Sequence, residues 1–434
     1  MRVRAYPGML AAAMLAATSL AQDHPMAFVG AKIIPVAGEP IDDGVLLIRD
    51  GRILAVGTQA SVNLPIDVEI IELTGRVIMP GLVDTHSHIG RPQGGDRSSP
   101  IQPEARVIDS IHVLSPAFMR ARAGGITTVN VMPGSGHLLS GQTVYLKLRR
   151  GKTIEDLAMR DADGNILGGI KMANGTNSRR DPPFPGTRAK AAALVRAKYI
   201  EAREYREKID RAGGDPEKMP PRDLGLEALL EVLDGKRIVH HHTHRADDIL
   251  TVLRLKREFG FRVVLHHVSE GWKVADRIAA ANVPCSIILI DSPGGKLEAR
   301  DLLFKTGGVL ERAGVTVAYH TDDPITDSRL FLRMAALGVR AGMSHEGALR
   351  ALTLNGAAML GLDERVGSLE PRKDADFVIL DGDPLSVYTK VLQTWVEGVK
   401  VFDRSDPKDH LYAVGGYGAG EDVTPDVHCF DAAP

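Results

Sequence analysis

Two histidines one residue apart stand at the end of an apolar run, in Pro80-Gly81-Leu82-Val83-Asp84-Thr85-His86-Ser87-His88. Because the side chains of a strand alternate between its two faces, His86 and His88 point to the same side. Two imidazoles on one side can bind one divalent cation, and the segment around them has little apolar content that would suit core packing. The pair therefore indicates a metal site at the end of a strand.

Four further residues of metal-binding or acid–base type stand at the ends of later apolar runs. They are Lys171, His242, His267 and Asp322. The sequence leaves some choice of ligand, because His240 and His244 share a strand face with His242, and His266 directly precedes His267. Side chains contributed by the ends of several different strands are typical of a site at the mouth of a barrel. The pattern therefore predicts one shared catalytic centre.

The elements that must position these residues are apolar, strand-like runs that alternate with helical stretches. The runs cover residues 77–84, 127–132, 143–148, 168–172, 237–242, 262–267, 285–290 and 315–320. This alternation is typical of a parallel sheet covered by helices, and eight units indicate an α/β fold closed into a (β/α)8, TIM-like barrel over residues 77–365. The connection at about 173–236 is too long for a simple crossover. We interpret it as an insertion near the barrel mouth, with a charged helical run at 187–212.

Short β-rich pieces with turn signals occur towards both ends of the chain. They lie within residues 22–76 and 366–404, and Asp50-Gly51 between two of them is a hairpin signal. We expect the two segments to form one small composite β-sandwich beside the barrel. The tail, residues 405–434, shows no clear periodicity and is expected to be irregular.

The order of these features resembles the amidohydrolase superfamily from residue 77 to about residue 362. Members share a barrel with a His-x-His after the first strand, histidines after the fifth and sixth, and an aspartate after the eighth. More narrowly, residues 242–249 (HTHRADDI) and 134–142 (GSGHLLSGQ) are similar to a group of exported imidazolonepropionase-related and prolidase-like amidohydrolases. The flanking β segments resemble the composite sandwich that many members build from both chain ends.

The resemblance implies two divalent metal ions, and zinc suits imidazole combined with carboxylate or carbamate ligands. His86, His88 and Asp322 would bind the first ion, and His242 and His267 the second. Lys171 matches the lysine that is carboxylated in two-metal members and bridges both ions. An unmodified ammonium could not bridge them, because it has no acceptor lone pair.

Such a ligand set implies a metal-dependent hydrolase that cleaves a C–N bond of the amide, dipeptide-like or cyclic amide type. A bound metal lowers the pKa of water from about 15.7 towards about 7, which makes a metal-bound hydroxide available near neutral pH. Asp322 can take the proton of this nucleophile as general base and deliver it to the leaving nitrogen as general acid. The second metal would polarise the carbonyl and stabilise the developing oxyanion.

Candidate substrate contacts follow the second and fourth strands and the fifth-strand histidine. They are His137, Gln142, Asn174, Asn177, Arg179, Arg180, Arg188 and His244. Arginines near a barrel mouth suit a substrate carboxylate through bidentate hydrogen bonds. We therefore expect a small-molecule substrate that can bear a carboxylate, although a solvated surface of the insertion explains the arginines equally well.

Other functions fit parts of the same pattern. Related one-metal deaminases resemble a pattern with a glutamate three residues after the fifth-strand histidine, where this chain has Arg245. Ester hydrolysis uses similar metal sites, so the bond type is less constrained than the site. A non-catalytic barrel could serve as a binding module, but such a protein would be free to lose ligands, and every expected ligand type is present here.

The composition of the chain narrows the classes of partner. With 53 Lys and Arg against 55 Asp and Glu, the net charge is −2, so no nucleic acid partner is indicated. A hydrophobic fraction of 44% and a charged fraction of 25% in 434 residues are ordinary for a globular protein with one large and one smaller domain. Assembly into a homo-oligomer is compatible with this composition.

The first 21 residues are typical of an export signal, with a basic start, an apolar run at 9–21 and a cleavage site after Ala21. The run is shorter than the roughly 20 apolar residues that span a bilayer, so we expect a periplasmic or secreted protein without a membrane anchor after cleavage. That compartment permits a disulfide between Cys285 and Cys429. Cys285, however, opens an apolar run and equally suits a small buried thiol.

The export signal predicts that secreted protein begins at Gln22. Intact mass spectrometry of the protein recovered outside the cytoplasm should give the mass of the chain that starts there. Exported material that still carries Met1 would contradict cleavage.

Overall fold

A computed structural model describes residues 24–90, 98–289 and 296–415, and within those ranges the fold is mixed α/β. The strands are β1 (Met26–Ile33), β2 (Ile41–Arg49), β3 (Arg52–Thr58), β4 (Glu69–Glu72), β5 (Val77–Pro80), β6 (Leu82–Ser87), β7 (Ile126–Val131), β8 (Leu139–Gln142), β9 (Val144–Lys147), β10 (Ile170–Ala173), β11 (Val239–Thr243), β12 (Val263–His267), β13 (Cys285–Ile287), β14 (Val317–Tyr319), β15 (Phe377–Leu380), β16 (Val391–Val396) and β17 (Val399–Asp403). The α-helices are α1 (Pro116–Ala123), α2 (Ile154–Leu157), α3 (Arg188–Ala212), α4 (Leu224–Leu233), α5 (Ala246–Phe259), α6 (Ala275–Ala280), α7 (Thr306–Arg312), α8 (Phe331–Arg340), α9 (His345–Leu352), α10 (Leu354–Leu360) and α11 (Pro407–Val414).

Strands from both ends of the described chain join in one eight-stranded sheet. Its order is β17-β16-β15-β5-β1-β2-β3, and β4 also pairs with β1. The two ends meet where β5 and β15 pair antiparallel. Asp50 and Gly51 have φ values of 51° and 72° and connect β2 to β3, which confirms the predicted hairpin.

This sheet curls around a cluster of aromatic rings. The ring of Phe28 on β1 lies 5.1 Å from that of Trp395 on β16, and Phe377 on β15 contacts both. Strands β1 and β16 are three positions apart in the sheet, which corresponds to about 14 Å in a flat sheet. The two halves of the sheet, on either side of β5, therefore face each other across this core. All eight strands belong to one hydrogen-bonded sheet, whereas we expected a sandwich.

The strands between the two ends form two further sheets. One has six strands in the order β14-β13-β12-β11-β10-β8, and the other has three in the order β6-β7-β9. Strands β10 to β14 are parallel neighbours, as the alternating pattern predicted. Just beyond β14 and at the end of β6, two backbone hydrogen bonds join the two sheets, from Asp322 N to His86 O at 2.9 Å and from His88 N to Asp323 O at 3.2 Å. Among the described residues no strand ladder connects β14 to β6, so the strand pairing does not by itself close one barrel.

Two of the eight expected barrel strands differ from the prediction. The run 77–84 is divided at Gly81, with β5 in the eight-stranded sheet and β6 in the three-stranded one. The run 143–148 forms β9, which is antiparallel to β7. Parallel neighbours are usually joined by a crossover that contains a helix. The connection from β7 to β9 instead contains β8, which pairs with β10, and it has no helix to return the chain for a parallel pairing.

The predicted helix at 187–212 is confirmed as α3. Thr187 caps it, because its hydroxyl accepts a hydrogen bond from the backbone N of Lys190 at 3.2 Å. One face of this helix is buried, and the ring of Tyr199 stacks on those of Phe259 and Phe261 at 5.0 and 5.3 Å. The insertion is therefore packed against the outside of the six-stranded sheet and is not only a solvated surface.

Part of the tail is ordered, which corrects the expectation of an irregular segment from residue 405. Residues 407–414 form α11, because Asp406 accepts hydrogen bonds from two backbone N–H groups of the first turn and Pro407 suits the first helical position.

The expected signal segment and Cys429 lie outside the described residues, while Cys285 is fully buried. None of the helices in the described ranges has the length and apolarity that a membrane crossing requires.

A buried cluster of charges connects the three-stranded sheet to the eight-stranded one. Lys147, at the end of β9, is fully buried and forms ion pairs with Asp374, at 2.7 Å, and with Asp376. Both carboxylates precede β15, and Glu397 in the turn before β17 pairs with Arg149 at 2.6 Å. Removing one partner of such a buried group is costly because it leaves a charge without compensation.

We expect Lys147→Ala to lower the free energy of unfolding by about 3 to 5 kcal/mol, because Asp374 and Asp376 would lose their buried counter-charge. Urea denaturation at neutral pH measures the change. The matched control is Lys390→Ala, which removes an exposed lysine and should change stability by less than about 0.5 kcal/mol. Equal stability of the two variants would show that the buried cluster does not hold the two sheets together.

Candidate metal centre

The parallel register of β10, β11 and β12 brings most of the predicted ligands to one edge. Lys171 pairs with His240, and Ala173 pairs with His242, on the adjacent strand. His242 in turn pairs with His266, and Thr243 with His267. The carboxyl ends of parallel strands meet at one edge of a sheet, so these side chains converge although they are far apart in sequence.

One group of ligand atoms is already assembled. His88 Nε2 lies 3.0 Å and His86 Nε2 lies 3.3 Å from Asp322 Oδ1. His88 Nδ1 lies 2.7 Å from the carbonyl oxygen of Met132, which can only accept a hydrogen bond. Nδ1 therefore donates to this carbonyl, and Nε2 is the nitrogen that faces Asp322 and would be the one to bind a metal ion.

Asp322 lies where the edges of the two sheets meet. Its backbone has a φ of 51°, and its N–H donates to the His86 carbonyl at 2.9 Å. Burial alone would raise the pKa of Asp322, but the hydrogen bond from His88 and the neighbouring positive charges outweigh burial and hold that pKa below its ordinary value. The carboxylate is therefore ionised near neutral pH, and its side chain is still 18% exposed, which leaves it accessible from the open side of the site.

Lys171 lies beneath this group and is fully buried. Its amine nitrogen is 3.1 Å from His86 Nε2 and 3.0 Å from Met132 Sδ. Burial lowers the pKa of Lys171 to about 7. A substantial fraction of the amine is therefore neutral at physiological pH.

His242 and His267 form the second part of the site. Their ring centroids are 4.4 Å apart, and burial holds the pKa of each well below its ordinary range, so both are neutral. His242 Nδ1 and His267 Nε2 are buried and have no hydrogen-bond partner among the residues described. Two buried nitrogen atoms without partners on neighbouring rings fit a metal ion as their missing partner, because a buried polar atom without a partner is otherwise unfavourable.

The left-handed backbone of His267 makes this arrangement possible. Consecutive residues of a regular strand point to opposite faces, yet the rings of His266 and His267 both lie 5.0 Å from that of His86. The φ of His267 is 71°, which turns its ring to the same side as that of His266. Both histidines consequently face the interior.

His240, a competing candidate by strand alternation, lies deeper than His242. Its Nε2 is 3.0 Å from the hydroxyl of Tyr145, and its Nδ1 is 3.0 Å from Nε2 of His266. Both ring nitrogens of His240 are thus engaged with protein groups. This favours His242 over His240 as the ligand from β11.

Sequence reasoning missed three residues of the centre: His320, Lys296 and Glu298. His320 Nε2 lies 3.2 Å from His267 Nδ1, and the two form a compact group with His86. The Lys296 amine lies 3.4 and 3.3 Å from Nε2 of His242 and His244, which form another group with the buried Glu298. Strand alternation could have indicated His320, which is two residues before Asp322, whereas Lys296 and Glu298 stand in a part of the sequence that carries no strand or motif signal.

Several predicted substrate contacts are held by protein groups. Arg188 forms an ion pair with Asp248 at 2.8 Å, and Asn174 donates to the carbonyl of the same residue at 3.0 Å. Gln142 donates to the Pro103 carbonyl at 3.2 Å. The contacts of Arg188 and Asn174 anchor the insertion to α5, and that of Gln142 ties β8 to the loop before α1. The role of these three residues in substrate binding stays a prediction.

The remaining candidates lie closer to the histidines or to the loop after β10. Asn177 contacts His242 Nε2 at 3.4 Å, and the ring of His244 is 4.6 Å from that of His242. The guanidinium of Arg180 lies 3.8 Å from the ring centre of Phe184, which also contacts His137 at 5.3 Å. Arg179 donates to the Gly175 carbonyl at 3.0 Å.

Comparison with known proteins shows extensive similarity to one family. A profile of the amidohydrolase family matches residues 222–402. The crystal structure of an amidohydrolase from Thermotoga maritima is 33% identical, with a TM-score of 0.81 over 87% of this chain and 100% of that protein.

Curated relatives show the same similarity at lower identity. The amidohydrolase tasK of Hapsidospora irregularis is 28% identical over 83% of this chain, which spans only 40% of that longer protein. The imidazolonepropionase of Sphingopyxis alaskensis is 26% identical over 84% of this chain and 94% of its own length. With full coverage of a structural relative at 33% identity, the chain belongs to the amidohydrolase superfamily.

Proposed function

We propose that the protein is a hydrolase that cleaves a C–N bond of a small amide, dipeptide-like or cyclic amide substrate and uses two divalent ions. The observation that carries this proposal is the pair of unpartnered buried nitrogens, His242 Nδ1 and His267 Nε2, beside the His86, His88 and Asp322 group. Relatives named imidazolonepropionase and 5-methylthioadenosine/S-adenosylhomocysteine deaminase also act at C–N bonds, which supports the bond type.

The residues of the chain divide into two ligand sets that share one bridging position. His86, His88 and Asp322 would hold the first ion, and His242 and His267 the second. Lys171 lies against His86, and its neutral amine could take up carbon dioxide, with release of a proton, to form a carbamate that would supply oxygen ligands where the amine supplies none. When bound, divalent ions of this kind lower the pKa of water and polarise a carbonyl group.

Asp322 is the residue to which we assign proton transfer. One of its oxygens, Oδ1, is held by His86 and His88, and the partial exposure of the side chain lets the carboxylate reach a water molecule and the leaving group of a substrate. A carboxylate in this position can take the proton of the attacking water and return it to the leaving nitrogen.

Substrate recognition would come from the side of the centre where cationic and amide groups gather. Lys296 and Asn177 contact His242, and Arg180 lies on the loop after β10. A substrate carboxylate would find hydrogen-bond donors there.

We also propose that the six- and three-stranded sheets together form the (β/α)8 barrel. We further propose that the protein acts outside the cytoplasm.

The function is tested by assaying purified protein, loaded with zinc, against N-acyl amino acids, dipeptides and cyclic amides. We expect Asp322→Asn to fold normally, retain metal through the histidines, and lose about 10²- to 10⁴-fold in kcat, because an amide cannot accept the proton. Asp327→Asn, the same chemical change five residues further along the chain, should retain near-normal turnover. Wild-type turnover in Asp322→Asn would remove this residue from proton transfer, and no hydrolysis of any C–N substrate would contradict the function.

Reconstitution of metal-free protein tests the bridging role of Lys171. With zinc and bicarbonate together, we expect about two ions per chain, and without bicarbonate the second ion should be held more weakly. Lys171→Met should show no effect of bicarbonate, because it has no amine to carboxylate. Elemental analysis after gel filtration gives the metal content. Equal zinc binding by the wild-type protein with and without bicarbonate would argue against a carbamate.

A further inference from the structure

A line of hydrogen-bonded groups leads from the backbone of β14 to His267. Thr85 Oγ1 lies 3.5 Å from the carbonyl oxygen of Tyr319 and 2.6 Å from Ser286 Oγ. Ser286 Oγ lies 2.7 Å from His320 Nδ1, and His320 Nε2 lies 3.2 Å from His267 Nδ1. The four side chains are at most 3% exposed, so solvent does not compete for these bonds.

The carbonyl at one end gives the line a direction, because it can only accept. Thr85 donates to Tyr319 O and is then free to accept from the hydroxyl of Ser286. Ser286, having given its only proton to Thr85, accepts from Nδ1–H of His320. The neutral ring of His320 then has its lone pair on Nε2, which accepts from Nδ1–H of His267. His267 is left with a lone pair on Nε2, the atom that has no other partner.

The opposite direction is unfavourable at both ends. The Tyr319 carbonyl would lose the Thr85 hydroxyl as a donor. His267 would carry its proton on Nε2, where the described part of the chain offers no acceptor. A buried donor without a partner is unfavourable because it loses its hydrogen bond to water, whereas a free lone pair there can be satisfied by a metal ion.

We propose that Thr85, Ser286 and His320 form a tautomer relay that fixes His267 as the Nδ1–H form and keeps its Nε2 available for the second ion. The inference rests on the two-metal function proposed above. It assigns His320 as a positioning residue that acts through His267. In His88, Nδ1 is fixed as the donor by a direct hydrogen bond to the Met132 carbonyl. The Nδ1–H group is therefore held directly by the backbone in His88 and through the relay in His267.

The direction of the relay can be measured in the full-length protein without metal. In protein labelled with ¹⁵N-histidine, the ring nitrogen chemical shifts report which nitrogen carries the proton, and single substitutions of His267 and His320 assign the signals. We expect both rings in the Nδ1–H form. A proton on Nε2 of His267 in the wild-type protein would overturn the relay, whether or not the protein binds metal.

Metal affinity tests the consequence of the relay. His320→Phe keeps a ring but removes the acceptor, so we expect zinc at the second site to bind about 10- to 100-fold more weakly in chelator competition, while the first ion is retained. His320→Gln restores an acceptor oxygen near the position of Nε2 and should recover most of the affinity. Unchanged affinity for the second ion in His320→Phe, or a His320→Gln variant as weak as His320→Phe, would contradict the inference.

Milder variants guard against a loss of folding. Ser286→Ala interrupts the relay one step further from the ion and should weaken the second zinc about 3- to 10-fold, with an unchanged circular dichroism spectrum. Ser140→Ala is the control, because Ser140 is also buried but donates to the Gly134 carbonyl outside the relay. Equal zinc affinity of these two variants would overturn the relay. Wild-type protein that binds no zinc would overturn the two-metal function, and the tautomer measurement would then decide the relay alone.

Discussion

The parallel register of β10, β11 and β12 is the constraint on which the rest of the centre depends. Neighbouring strands lie about 4.8 Å apart, so side chains at the same level of adjacent strands are held within contact distance. This register places Lys171 beside β11 and brings His242 and His267 to adjacent positions at the strand ends. A shift of one residue in either strand would turn these side chains to the other face and separate the ligands.

The convergence of so many imidazoles has an electrostatic consequence. Seven histidines of β6, β11, β12 and the end of β14 are almost fully buried, and burial lowers their pKa values: they are His86, His240, His241, His242, His266, His267 and His320. Neutral imidazole has one donor and one acceptor nitrogen, so every ring needs both a donor and an acceptor around it. The pairing of His240 with Tyr145 and His266 uses protein groups for this purpose. Four buried nitrogens of these rings have no hydrogen-bond partner among the described residues, namely His86 Nδ1, His242 Nδ1, His266 Nδ1 and His267 Nε2. We propose an ion as the partner of two of them, His242 Nδ1 and His267 Nε2.

The surrounding fold holds this centre in place from two directions. The hydrogen bond between the Asp322 backbone and His86 joins the edge of the six-stranded sheet to the three-stranded one. On the other side, Lys147 ties the three-stranded sheet to carboxylates that precede β15. His86, His88 and Asp322 span the first of these junctions, so they come together only when the two sheets are correctly docked.

The sequence by itself determined the family, the mixed α/β class, the hairpin at Asp50-Gly51 and the helix at 187–212. These features depend on local chemistry, since strand ends with histidines, turn residues and an N-cap followed by helix formers are all readable within short windows. The ligand candidates were readable for the same reason, because each stands directly after an apolar run.

Only the tertiary structure decided which atoms meet and in what state. The antiparallel return of β9 and the division of strands at Gly81 depend on connection lengths and packing partners that no local pattern reveals. The positions of His320 and Lys296 depend on elements distant in sequence, and the direction of the hydrogen bonds depends on a carbonyl group. Side-chain type sets what a residue can do, but the protonation state and partner of each nitrogen are properties of the assembled fold, because burial and hydrogen bonding act only there.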